Sequence, residues 1–486
     1  MPSYKLTYFP ITALAEPIRF LLSYAGIDFE DDRFNREDWP KIKETMPFGQ
    51  VPVLEVDGKK INQSMAISRY LAKKCGLAGK DDWEALEIDA TVDTINDLRQ
   101  KIGIYSYESH EEAKAAKHKI VKEQVQYYLE RLDAQVQKNG GYFIGGSLSW
   151  ADLVFVGLLD YMNHMMDNQE IIEKYDNLKQ LNQKVLEVPA IKSWIEKRPQ
   201  VTWYPARHCA VRRRAEWSSL SIASERNGQN IETSPEERRA SGCEGLYIEP
   251  CQGLVKLFVE TASGEELDRT VRDRPEAVSR KNEKMPTYKL TYFNLTALGE
   301  PIRYMLHYCD IPFEDIRIEI DDWLKHKADM PLGQVPILEI DGKVYHQSRA
   351  ISRYLAKKNN LYSSDEFEAM EIDAMVDSID DLRHAVATFY WNKDPVFKEK
   401  LKEIAFEKLP FYLDKFEEQV KKNDGHFVRG KLSWADFVFA AYSGYLNVLL
   451  GEDMNKDHPE LKKLVEKVNA LPNVKAYLEK RPKTMA

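Results

Sequence analysis

Apolar positions change their period along the first part of the chain. Lys5–Phe9 reads as a short strand, and Ala15–Ala25 (AEPIRFLLSYA) as a helix that tolerates Pro17 in its first turn. Phe29–Phe34 is expected to be a second strand, Trp39–Thr45 a short helix and Val51–Val56 a third strand. Asp57–Gly58 is a hairpin signal into a fourth strand, and Ser64–Lys74 a helix opening at an N-cap serine. The order βαβ–α–ββα describes a small mixed sheet carrying helices. The helical period then takes over. Ile88, Val92, Ile95, Leu98 and Ile102 share one face, as do Val121, Val125, Tyr128, Leu132 and Val136. Ser149-x-x-Asp152 before LVFVGLL is a capping box, as is Ser433 with Asp436, so these residues are folding devices rather than catalysts.

The whole pattern occurs twice. YKLTYF at Tyr4–Phe9 returns at Tyr288–Phe293, an offset of 284 that also carries GQVP, Gln63–Ser64, ISRYLAKK and SWAD onto their second copies. A period this long means two complete modules, each large enough for its own core, and not a solenoid. The expected divisions are 1–79, 80–206, a linker at 207–284, 285–363 and 364–486. The linker repeats nothing, is rich in Ser, Gly, Glu and Arg, and is expected to be largely disordered except for a possible strand at Leu254–Val259. Met285-Pro286-Thr287-Tyr288 echoes Met1-Pro2-Ser3-Tyr4, as if two neighbouring coding units had been joined.

Composition narrows the class. The formal net charge of −9 argues against a nucleic-acid partner. The start of the chain lacks the pattern of a signal peptide, and no apolar run reaches the ~18–20 residues of a membrane span. Five cysteines make no disulfide framework; Cys75 and Cys309, at unmatched positions, read as inert thiols. A reducing cytosol fits these features.

Candidate chemistry gathers where strands meet helices. Gln63–Ser64 and Gln347–Ser348 stand at such junctions, where backbone N–H groups and the helix dipole attract anions. Pro52 opens a strand, as an edge position or a cis bond beside a ligand would. Tyr8 ends the first strand and points toward the same helix termini.

Together YKLTYF, ALAEPIRFLL, PFGQVPVLEVDG, INQSMAISRYLAKK and SLSWADLVF closely resemble cytosolic glutathione transferases, and within them the sigma class that includes the glutathione-dependent prostaglandin D synthases. The likeness covers all but the linker. It implies, in each copy, a thioredoxin-like domain followed by an all-helical domain, without a CxxC, so that the reactive thiol comes from glutathione as co-substrate, with no permanently bound cofactor and no metal. It implies that Tyr8 and Tyr292 hold the glutathione thiolate. Trp39 with Lys43, and Trp323 with Lys327, would contact the glycyl end; Val51 beside cis-Pro52, and Val335 beside cis-Pro336, would pair with the tripeptide backbone, with Gln50 and Gln334 adjoining. Gln63–Ser64 and Gln347–Ser348 would bind the γ-glutamyl carboxylate, and Asp97 and Asp381 would reach its amine across a dimer interface.

Asp89, Asp93 and Asp97 recur every four residues, as do Asp373, Asp377 and Asp381. Like charges in line repel unless a cation is near; a ligand ammonium would supply one, magnesium or calcium being the alternative. The sigma-like arginine that follows the tyrosine in vertebrate-type enzymes is Leu14 here, and Leu298 in the copy. The second-substrate pocket is therefore expected to be apolar, lined by Phe9, Leu14 and Ile104, with Phe293, Leu298 and Thr388 in the copy. The implied activity is conjugation of glutathione to hydrophobic electrophiles, with peroxidase or isomerase side activity; the alternative is a crystallin-like structural protein or ligand carrier. The implied partners are glutathione and small electrophiles, with modules paired within or between chains.

Overall fold

The computed structural model describes residues 2–108, 111–200, 286–393 and 395–484. The linker, its suggested strand at Leu254–Val259 and the methionine at its end lie outside them.

Strand β1 (Tyr4–Tyr8) is central in its sheet because alternate residues, Leu6 and Tyr8 among them, are buried. After it come α1 (Glu16–Tyr24), β2 (Glu30–Arg33), α2 (Trp39–Lys43), β3 (Val53–Val56), β4 (Lys59–Ile61) and α3 (Ser64–Lys74). The sheet order is β2-β1-β3-β4, with β2 parallel to β1 and β3 and β4 antiparallel to their neighbours. Five helices follow: α4 (Asp82–Ser106), α5 (Glu111–Lys138), α6 (Trp150–Met165), α7 (Asp176–Leu186) and α8 (Pro189–Lys197). In the second module the same order returns as β5 (Tyr288–Phe293), α9 (Glu300–Tyr308), β6 (Phe313–Ile318), α10 (Trp323–His326), β7 (Ile337–Ile340), β8 (Lys343–His346) and α11 (Ser348–Lys358). Its helical part comprises α12 (Glu366–Tyr390), α13 (Pro395–Lys422), α14 (Trp434–Leu450), α15 (Pro459–Asn469) and α16 (Pro472–Lys480).

Both capping boxes form. Ser149 N–H donates to Asp152 Oδ2 at 2.7 Å and Ser433 N–H to Asp436 Oδ2 at 2.7 Å, each at the start of the most buried helix of its module. The expectation for Ser64 is corrected. Ser64 is the first helical residue and not the N-cap; that place belongs to Gln63, whose backbone takes the left-handed φ of 73°. A non-glycine residue held there costs energy, and such positions cluster at binding sites.

The modules pack as one unit, α3 and α4 of the first against α12 and α11 of the second. The aspartate stripes, open on sequence to a ligand ammonium or a metal, are largely buried here and meet guanidinium groups. Arg69 bonds Asp89 at 2.9 Å and Asp373 of the other module at 3.1 Å; Arg353 bonds Asp373 at 2.9 Å and Asp89 at 3.2 Å. Arg349 adds Asp93 at 3.1 Å and Asp377 at 3.2 Å. Arginine suits this because its planar fork serves two carboxylates at once. Among the described residues no group of three or more such side chains could hold a metal ion. At one flank Phe48 inserts between Tyr412 and Phe416, with ring centroids 5.7 and 5.4 Å away. At the opposite flank Trp83 lies against Tyr345 and Tyr354.

Candidate functional site

Tyr8 ends β1 and Tyr292 is the matching residue of β5, both nearly buried. Tyr292 Oη accepts the Leu298 N–H at 3.3 Å, and Tyr8 has the corresponding backbone partner in Leu14. Burial pushes the Tyr8 hydroxyl up to about 12 and moves Tyr292 in the same direction. Each phenol therefore stays protonated at neutral pH and can donate a hydrogen bond, while its oxygen is already oriented by a backbone N–H.

Beside Tyr8 a cavity of about 410 Å³ opens toward the other module. Its first-module wall brings together Phe9, Leu14, Trp39, Gln50, Val51, Pro52, Gln63 and Ser64; its second-module wall carries Asp377, Asp380, Asp381 and His384. Trp39 is held by ring contacts with Phe9 and Phe34. Lys43 packs against Gly49, where a Cβ would come 3.1 Å from Lys43 Cε at a φ of +55°. The Val51–Pro52 and Val335–Pro336 peptides are cis.

Carboxamides and carboxylates meet across the module boundary. Gln63 Nε2 donates to Asp381 Oδ2 at 3.0 Å and to Ser378 Oγ at 3.1 Å. Gln50 Nε2 donates to the same Asp381 oxygen at 3.1 Å and to Tyr412 Oη at 2.9 Å. In the second copy Gln347 Nε2 donates to Asp97 Oδ2 at 3.0 Å, and Gln334 Nε2 to Tyr128 Oη at 2.9 Å. Burial raises both carboxyls: Gln347 and Arg349 only partly offset it at Asp97, Gln63 and Gln50 only partly at Asp381. Neither acid has an ion pair among the described residues as close as those of Asp89 and Asp373.

The remaining positions are placed as follows. Ser348 starts α11 as Ser64 starts α3, after Gln347 with φ 72°. Trp323 packs edge-on to Phe293, and Lys327 lies against Gly333 as Lys43 does against Gly49. Ile104 is 55% exposed and does not line the cavity. Thr388 turns its hydroxyl to the His384 carbonyl at 2.6 Å, and Leu298 packs on the core of its module.

Sequence reasoning missed the polar part of this wall. Arg99, Asn96 and Gln100 line the cavity from α4, and Arg349 reaches it from α11. Tyr107 and Tyr161 share a hydroxyl–hydroxyl contact of 2.5 Å close by. The available signal was spacing: Arg349 and Arg353 are four apart on one helix, matching the four-residue step of the aspartates.

Residues 4–73 and 288–357 match the family model of the glutathione S-transferase N-terminal domain, and residues 96–198 and 380–481 that of the C-terminal domain. The chain is 49% identical over 200 residues to a glutathione S-transferase of Anopheles gambiae, covering 41% of this chain and 98% of that protein. It is 48% identical to glutathione S-transferase S1 of Drosophila melanogaster (40% of this chain, 79% of that one), and 41% identical to the hematopoietic prostaglandin D synthase of Gallus gallus (41% and 98%). Each likeness spans about one module. Among the described residues no helix is long and apolar enough to cross a membrane.

Proposed function

Because the chain belongs to the glutathione S-transferase family, we propose that each of its modules binds glutathione beside its tyrosine and transfers the thiolate to an electrophile. The protein is a glutathione transferase; the reading as a crystallin-like or carrier protein is not favoured, since the relatives named above are enzymes. A free thiol titrates near ~8.5 and is mostly protonated at neutral pH. Lowering that by ~2 units takes about 2.7 kcal/mol, within reach of one charge-assisted hydrogen bond and a helix N-terminus. Tyr8 and Tyr292 are the donors, and their raised pKa values fit a phenol that gives a hydrogen bond without surrendering its proton.

The observation that carries the reading is the shared cavity, in which Gln63 and Gln50 of one module converge on Asp381 of the other. In the proposed complex the γ-glutamyl carboxylate lies at the α3 N-terminus on Gln63–Ser64, and its ammonium takes the raised Asp381. Trp39 and Lys43 receive the glycyl end, and Val51 beside Pro52 pairs with the tripeptide backbone. In the second site Gln347–Ser348, Asp97, Trp323, Lys327, Val335 and Pro336 take the same parts. The electrophile enters beside Phe9 and Leu14, or Phe293 and Leu298. We divide each module at 79/80 and 363/364, and take the paired modules of one chain as the working unit. Cys75 and Cys309, which form no disulfide among the described residues, suit the cytosol.

Tyr8→Phe together with Tyr292→Phe is expected to keep glutathione binding, read by calorimetry, and to reduce conjugation by roughly ten- to a hundredfold, the rate equivalent of the ~1.5–2.7 kcal/mol that one charge-assisted hydrogen bond supplies. Conjugation at the wild-type rate in the double variant would overturn the assignment.

A further inference from the structure

The two sites are built alike, yet they differ in charge beside the arginine of each long helix. On α4 Asn96 precedes Arg99 by three positions; on α12 Asp380 precedes Arg383 by three, so each pair meets on one helix face. Arg99 Nε donates to Asn96 Oδ1 at 2.9 Å, whereas Arg383 Nε donates to Asp380 Oδ1 at 2.6 Å. The amide satisfies a donor and leaves the positive charge standing. The carboxylate satisfies the same donor and cancels it.

The surroundings agree. Burial lowers the pKa of Arg99, and Asp381 across the cavity offsets this only in part, as expected of a cation whose bonded neighbour is a neutral amide. Burial acts on Arg383 too, but Asp380 overcomes it and raises that guanidinium. Asp380 is itself brought down to about 2, against burial, by Arg383 and Arg349. Arg99 lines the 410 Å³ cavity with Phe9 and Leu14 and acts electrostatically on the Tyr8, Tyr107 and Tyr161 hydroxyls. Arg383 stands in the same relation to Tyr292 and Tyr445. The three acids across the cavity are engaged elsewhere: Asp381 by Gln50 and Gln63, Asp377 by Arg349, and Asp380 by Arg383.

We propose that position 96/380 divides the labour between the modules: the first, with Arg99 bonded to the neutral amide of Asn96, takes electrophiles that carry a carboxylate, and the second, with Arg383 matched by Asp380, takes neutral ones. The inference rests on the transferase reading above. In the reaction the glutathione sulfur forms a bond to the ring carbon of an activated aryl chloride, chloride leaves with the bonding pair, and the thiol proton goes to solvent. Arg99 holds the carboxylate and takes no part in bond making.

The test compares 4-chloro-3-nitrobenzoate with 4-chloro-3-nitrobenzamide, two probes of similar shape, on the full chain. In a Tyr292→Phe chain, where the first site works alone, the acid-to-amide ratio of kcat/KM is expected to be about tenfold higher than in a Tyr8→Phe chain, the discrimination one charge-assisted hydrogen bond supplies. Asn96→Asp should abolish the preference at the first site, mainly through KM for the acid, and Asp380→Asn should confer it on the second. Equal ratios at the two sites, or an Asn96→Asp chain that keeps its preference, would overturn the proposal. Arg99→Gln and Arg383→Gln in the otherwise unaltered chain give an arm that does not depend on the tyrosines: the first should lower the chain's ratio, and the second should not. Full turnover in the Tyr→Phe chains would sink the tyrosine assignment alone, and this arm would still decide the charge question. Melting curves for each variant separate lost preference from lost fold.

Discussion

The two modules present nearly the same surface to each other, and the few places where they differ are informative. The centre is symmetric: Arg69 and Arg353 each bond one aspartate of their own module and one of the other. The periphery is not. Phe48 fills a gap between Tyr412 and Phe416, while its counterpart in the second copy is Leu332, with a similar φ of 53°. Arg349, which serves Asp93 and Asp377, has Met65 as its counterpart. A contact at the pseudo-symmetric centre must suit both halves at once, so drift there is penalised twice. Contacts at the flanks occur once each and can specialise.

The comparison breaks first at the centre. Arg69→Leu and Arg353→Leu should each cost about 3–5 kcal/mol, because removing one partner strands buried carboxylates. Urea midpoints of the intact chain should move by similar amounts for the two variants; a large inequality would mean that the centre is less symmetric than its distances indicate. At the flanks the expected outcome is unequal. Phe48→Ala should cost roughly 2–3 kcal/mol by opening the aromatic pocket, and Leu332→Ala clearly less.

The smallest effect concerns pH. Burial, outweighing Arg349, Arg69 and Arg353, pushes the Asp377 carboxyl up to about 6. A folded pKa above the unfolded one means that the folded state binds more protons between them, so this group adds stability as pH falls from 7 toward 4. Asp89 and Asp373 lie the other way. Burial opposes ionisation, but the guanidiniums hold both below the usual range, and their contribution is lost only at lower pH. Asp377→Asn should flatten the pH dependence of melting between 7.5 and 5 by about 1 kcal/mol. An unchanged slope would assign that dependence elsewhere.

These contrasts also show what could be read from the sequence. Strands such as Tyr4–Tyr8, the capping boxes at Ser149 and Ser433, and the helical runs announce themselves through neighbours a few positions away. So did the candidate site residues of one module, because they follow β1, β3 and α3 in order. Arg69 to Asp373 spans 304 positions and Gln63 to Asp381 spans 318, and no local period reports such contacts. Gln63, and not Ser64, is the cap because its backbone is left-handed, a demand that leaves no mark in its side chain. Phe48 gives no local signal, because an aromatic residue in a turn has no apolar face of its own until the other module supplies one. The aspartate stripe was visible, but its cations lay in a repeated motif, ISRYLAKK, already accounted for as a helix.

One consequence follows from Gln63 reaching Asp381 while Gln347 reaches Asp97. The halves hold each other's missing parts, as two keys cut for exchanged locks. A lesion in α4 therefore injures the pocket lodged in the distant half of the polypeptide, and inheritance of both catalytic centres becomes a single event. Whatever lineage carries this chain must retain or discard the pair together.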